Sequence, residues 1–214
     1  MYSTRVAKPD TRTQILDAAE RLFADHGYRG TSVRAITTLA GANLAAVGYH
    51  FGSKAGLMAA VVRRVIEPIN AAQHARLDDL LARTPDPPVG DLVEAFAGPL
   101  FDEMPAGDEG GARRSRLVMT ILSDPAEEVR SWTGPAEDAV RQRYLAAFTR
   151  VLPGLSAEEL WFRLRGILAV TAVDRIGVHQ QPSPGCESPG AGETARRWAI
   201  TFLTAATSAP PTRP

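Results

Sequence analysis

Apolar residues in this chain recur every three or four positions almost from end to end, and no segment alternates polar and apolar like a strand. Ile15, Ala18, Ala19, Leu22 and Phe23 form one such stripe, Val33 and Ile36 another, and Leu164, Ile167, Leu168 and Thr171 a third. A 3.6-residue period without two-residue alternation confines the chain to an all-α fold. Pro and Gly gather at 85–90, 105–111, 134–135 and 182–192, which read as joints between helices. Asp10 stands where it can cap the first helix, and Asp124-Pro125-Ala126-Glu127 and Ser156-Ala157-Glu158-Glu159 have the capping-box pattern. The spacing predicts helices at 11–26, 32–39, 43–50, 54–82, 90–103, 112–123, 125–150 (broken near 134), 156–179 and 191–207.

Charge divides the chain although its formal total is zero. Residues 1–66 hold nine Lys and Arg against four acids, and residues 67–214 hold 15 against 20. A basic front on an acidic body points to a polyanion partner for the front. Other chemistry lacks its residues. One Cys, Cys186, allows no disulfide framework and reads as an incidental thiol in a Pro/Gly/Ser loop. His26, His50, His74 and His179 lack metal-ligand spacing, and no phosphate-cradling or nucleophile-elbow motif occurs. These features predict neither cofactor, metal nor enzyme activity. The opening MYSTRVAKPDTRT has no apolar stretch of a secretory leader, and no apolar run approaches the roughly 18 residues that span a bilayer, so the expected location is the cytoplasm, with no membrane partner.

The segment Thr31–Lys54, TSVRAITTLAGANLAAVGYHFGSK, reads as two short helices about a tight turn at Ala40-Gly41-Ala42. Val33, Ile36 and Leu39 are expected on the inner face of the first, continued by Val47 and Phe51 on the second, with Ala40, Ala45 and Ala46 permitting close approach. This is the helix-turn-helix pattern, whose second helix enters the DNA major groove; a plain helical hairpin has the same spacing. Thr31 or Ser32 caps the first of the two helices, where neighbouring N–H groups can take a phosphate. Tyr49 and His50 end the second, and Lys54 opens the next.

ILDAAERLFADHGYRGTSVRAI, the A-G-x-N turn and YHFGSKAGLMAAVV resemble the tetracycline-repressor family of bacterial transcription regulators over about residues 11–66. The resemblance implies a DNA-binding domain at 1–54, a linking helix at about 54–82, and a ligand-binding and dimerisation domain over 55–214. It also implies backbone contacts, or support for them, from Tyr49, His50 and Lys54. For His50 a packing or capping role is the alternative, and for Lys54 a solvated surface position. Base reading departs from the common family pattern: Gly48 stands where an aromatic is usual, and Leu44 where a polar residue often reaches a base. Asn43 can cap its helix or read adenine, Leu44, Ala45 and Ala46 can meet thymine methyls, and Arg34 can reach guanine or neutralise phosphate. Arg5 and Lys8 form either an arm over the backbone or a loose tail.

The last two helices, with their wide apolar faces, suit a bundle shared by two subunits, and the resemblance implies the same. Leu160, Leu164, Leu168, Thr171, Ala195, Ala199, Phe202 and Leu203 are the expected contacts of the homodimer. An inducer pocket is expected between the middle helices, lined by Phe96, Leu100, Phe101, Met104, Met119, Leu122, Trp132, Tyr144, Phe148 and Phe162. So apolar a lining favours a lipophilic small molecule, though any one of these residues can equally be plain core. The sequence therefore predicts a dimeric, ligand-responsive regulator, most simply a repressor, on a pseudo-palindromic duplex operator. A small helical enzyme and a protein-docking adaptor are the rivals.

Overall fold

The computed structural model describes residues 10–103, 109–123, 127–176 and 193–211, with the side chains at 121–123, 127–137 and 172–176 excepted. Its elements are α1 (Thr11–Gly30), α2 (Val33–Ala40), α3 (Leu44–Phe51), α4 (Lys54–Arg83), α5 (Val89–Glu103), α6 (Glu109–Ser123), α7 (Glu127–Val151), α8 (Ala157–Ile176) and α9 (Glu193–Ser208). Among the described residues there is no strand, and no helix is long and apolar enough to cross a membrane.

Each early helix starts on a short polar side chain that accepts a bond from an otherwise orphaned N–H. The Asp10 carboxylate accepts from Thr13 N at 2.6 Å, Ser32 Oγ from Ala35 N at 3.0 Å, Asn43 Oδ1 from Ala45 N at 3.0 Å, and Ser53 Oγ from Gly56 N at 3.0 Å. α2 ends at Gly41, whose φ of 62° lets the backbone turn left-handed while Gly41 N and Ala42 N satisfy the last carbonyls. α1 runs past the expected end at 26 to Gly30, with a kink at Gly27. α7 continues through Gly134-Pro135, where a break was expected. Proline already has a helical φ, and one lost bond need not end a helix that is otherwise packed.

Two apolar cores result. The first gathers Ile15, Ala19 and Phe23 of α1, Ile36 of α2, Val47 of α3 and Leu57, Met58, Val61, Val62, Val65 and Ile69 of α4. It is completed by Leu100 of α5 and by Leu117 and Val118 of α6, so α1–α4 do not close it alone. The second joins Leu77 and Leu80 of α4 to Leu92, Phe96, Tyr144, Phe148, Leu160, Leu164 and Leu203. α4 is thus the spine of both. Leu39, expected inside, is 49% exposed because α2 buries its other side, Ile36 and Thr37, against α1.

Candidate nucleic-acid interface

The outer surface of α2–α3 is a small, mixed face. On α3 it presents Leu44, Ala45, Gly48 and Tyr49, with Tyr49 87% exposed. Ala46, expected to face a base, is half-buried against the first core. His50 is half-buried between the rings of Tyr49 and Phe51, with centroids 4.9 and 6.1 Å away. Arg34 lies exposed on α2.

Thr31 does not belong to this face. It is buried, and its hydroxyl donates to Leu22 O at 3.0 Å and Gly27 O at 2.8 Å, tying the kinked end of α1 together. Ser32 is the cap of α2 instead. The Asn43 side-chain oxygen likewise caps α3 by accepting from Ala45 N. Lys54 sits at the first position of α4, with its Nζ 4.4 Å from the centroid of the Tyr28 ring. Tyr28 therefore supports the lysine through a cation–π contact that sequence spacing does not reveal. Arg12 stands similarly over Phe51, at 5.4 Å. The role of Ser53 in opening α4 was also missed, although a Ser just before a helical run is a legible signal.

Among the described residues, Arg12, Arg21, Arg29, Arg34 and Lys54 have no carboxylate partner. Arg64 is different: it binds Asp17 at 2.6 Å and Glu20, locking α4 to α1. Burial disfavours its charge, but bonds to the two carboxylates outweigh that, and its pKa is raised.

The body has another pattern. Phe96, Phe101, Tyr144 and Phe148, expected to line a cavity, are packed in the second core, and Leu100 in the first. The Phe96 and Tyr144 centroids are 4.9 Å apart, and the Tyr144 hydroxyl donates to Gln73 O at 2.8 Å. Burial raises the Tyr144 pKa, which keeps it a neutral donor. Met119 is half-buried against the first core. Met104 and the side chains of Leu122 and Trp132 lie outside the described residues, as do Arg5, Lys8 and Cys186.

Phe162 does not face the middle helices, since it is 74% exposed on the outer side of α8. The expected dimer contacts need correction too. Leu160, Leu164, Thr171 and Leu203 are buried within the single chain, and Leu168, Ala195 and Ala199 are half-buried. Leu168 and Ala199 already pack against its cores. Only Phe202 of that set is exposed, at 60%. It borders a shallow apolar depression with Phe162, Gly166, Val170 and Ala206.

Residues 15–61 match the family model of bacterial regulatory proteins of the tetR family, and residues 94–206 match that of the tetracyclin repressor-like C-terminal domain. The chain is similar to the HTH-type transcriptional repressor AcnR of Corynebacterium glutamicum, 41% identical over 54% of this chain and 53% of that protein. It is also similar to the HTH-type transcriptional regulatory protein RaaS of Mycobacterium tuberculosis, 32% identical over 66% of this chain and 69% of that protein. The chain spans 53% and 64% of the length of the C. glutamicum and C. efficiens AcnR proteins. Among solved structures, Mycobacterium smegmatis AmtR superposes with a TM-score of 0.63 at 18% identity, covering 96% of this chain and 90% of that one.

Proposed function

The chain belongs to the tetracycline-repressor family of transcriptional regulators, and on that premise we propose a repressor that binds a pseudo-palindromic operator as a homodimer and leaves it when a small, mainly lipophilic molecule binds. The observation that carries the DNA assignment is the set of cations around α2 and α3 that form no salt bridge among the described residues. Unpaired guanidinium and ammonium groups beside an exposed short helix suit phosphates flanking a major groove. We assign Tyr49, Lys54 and the start of α2 at Ser32 to the backbone, with His50 steadying Tyr49. Arg34 is assigned to a base edge.

The DNA-binding unit comprises α1–α3 and the start of α4, which pack together in the first core and lean on α5 and α6 to complete it. The rest would bind ligand and dimerise. Phe162, Val170 and Phe202 form the partner face, since they are the large apolar groups of α8 and α9 that the chain leaves in water beside a shared depression. Two heads held by that face would enter successive grooves about 34–36 Å apart. The ligand would open the second core at Asn70 and Gln73, polar side chains buried on α4. Gln73 Nε2 already donates to Phe96 O at 2.8 Å, whereas Asn70 has no hydrogen bond among the described residues. One free carboxamide in an apolar wall suits a mostly lipophilic molecule with one polar group.

Selection of duplexes from a random pool by the purified protein, followed by titration at several salt concentrations, tests this. The expected result is one enriched palindromic motif whose binding weakens steeply as salt rises, from counterion release. Absence of enrichment together with salt-independent binding would reject it.

A further inference from the structure

Gly48 lies within α3, a helix of eight residues, where a glycine weakens the helix. Nothing among the described residues asks for it. Its φ is not positive, and a Cβ added there would meet no atom within 4 Å. The space beside it opens onto the exposed face of α3. Its neighbours on the same face are Leu44, 57% exposed, and Ala45. Asn43 spends its side-chain oxygen on the cap, and Tyr49 is the one exposed side chain of α3 able to make a hydrogen bond. The face is thus apolar and short, yet Arg34 and Lys54, without carboxylate partners among the described residues, flank it. An uncharged protein or lipid surface would explain the apolar groups but not the cations beside them. Duplex DNA explains both, because the thymine 5-methyl is the apolar group that base edges offer in the major groove.

We infer that α3 reads its operator chiefly by apolar contact, Leu44 and Ala45 meeting thymine 5-methyls, with Gly48 the point where the helix comes nearest the bases. This rests on the operator-binding assignment and names the chemistry by which the operator is chosen.

The test uses the full chain and the duplexes it enriches from a random pool. Deoxyuridine, which lacks only the 5-methyl, replaces thymidine one position at a time. Each contacted methyl should be worth about fourfold in affinity. Leu44→Ala should erase the difference between thymidine and deoxyuridine at one position per half-site. Gly48→Ala should melt no lower than the parent and bind more weakly. Gly48→Leu should keep the helical circular-dichroism signal and lose at least about tenfold in binding. If deoxyuridine is harmless at every position, or Gly48→Leu binds as the parent does, the inference is wrong and operator binding stands. If no duplex is enriched, operator binding falls and this falls with it.

Discussion

Basic side chains do different work around α2 and α3 and in the cluster that joins α4, α5 and α9. Around α2 and α3 the cations of Arg12, Arg34 and Lys54 rest on aromatic rings or in water, without a salt bridge to a carboxylate among the described residues. In the body, Arg76 and Arg196 close a ring with Glu94 and Asp102 that joins α4, α5 and α9. Arg143 binds Asp78, Arg150 binds Asp86 at 2.7 Å, and Arg163 binds Glu159 at 2.6 Å together with three carbonyls at the end of α9. A paired arginine contributes little field beyond a Debye length, so net charge understates the contrast. The lesson is that a basic side chain points to a polyanion only where its counter-charge has been withheld.

The contrast breaks most visibly at the partner face. Phe202→Glu should yield monomers in sedimentation and weaken palindrome binding by about a hundredfold to ten-thousandfold, because the second head loses its effective concentration. A mutant that stays dimeric would move the interface elsewhere. Ala199 is the poorer probe, since it already packs against the second core.

A matched pair sharpens the comparison of cations. Lys54→Ala should weaken binding to all duplexes alike and reduce the salt slope by about one per lost contact, or about two per dimer. Arg196→Ala should leave that slope unchanged and instead lower stability by about 1 kcal/mol, the value of a partly exposed pair. Equal slopes for both variants and the parent would erase the distinction between free and spent cations. Within the second core, Tyr144→Phe removes the bond to Gln73 O and should cost about 1 kcal/mol in denaturant unfolding, with the DNA salt slope intact.

The smallest effect is in acid. The Asp10 pKa lies below its ordinary 3.8, chiefly through the bond from Thr13 N, and that of Asp78 is lowered chiefly by the bond from Arg143. A depressed folded-state pKa gives stability that is present above the unfolded value and lost as pH falls through the folded one. Both contributions should therefore fade below about pH 3.8. Added salt should diminish the Asp78 contribution, an ion pair, more than that of Asp10, a helix cap, and urea melts of Asp10→Ala and Asp78→Ala across acid pH would show it. Equal salt sensitivity would contradict that division.

Much of the site was legible because its signals are local. Capping by Asp10, Asn43 and Ser156, the turn at Gly41 and the placement of Lys54 at a helix start need only neighbouring residues to be read. The second helix of the pair was legible for the same reason, and Gly48, Leu44 and Ala45 lie on its exposed side. Thr31 and Ser32 show the limit. Adjacent hydroxyl residues have the same propensity to cap, and the difference came from Leu22 O and Gly27 O, contacts made possible by the bend at Gly27.

The sequence by itself determined that this chain is helical, where most helices begin, and that its front holds a helix-turn-helix pair, because periodicity, capping and turn chemistry act over three or four residues. Tertiary structure decided which stripe of a helix is inside. α8 carries two apolar stripes at the same spacing, Leu160–Leu164–Ile167–Thr171 and Phe162–Gly166–Val170, and the period cannot rank them. The first is buried by the chain's own helices and the second stands in water. Likewise only the fold shows which arginines have found acids, since Arg196 meets Glu94 across 102 residues and Arg116 meets Asp25 across 91. Burial and neutralisation are properties of neighbours in space, and a chain's order does not contain its neighbours until it has folded.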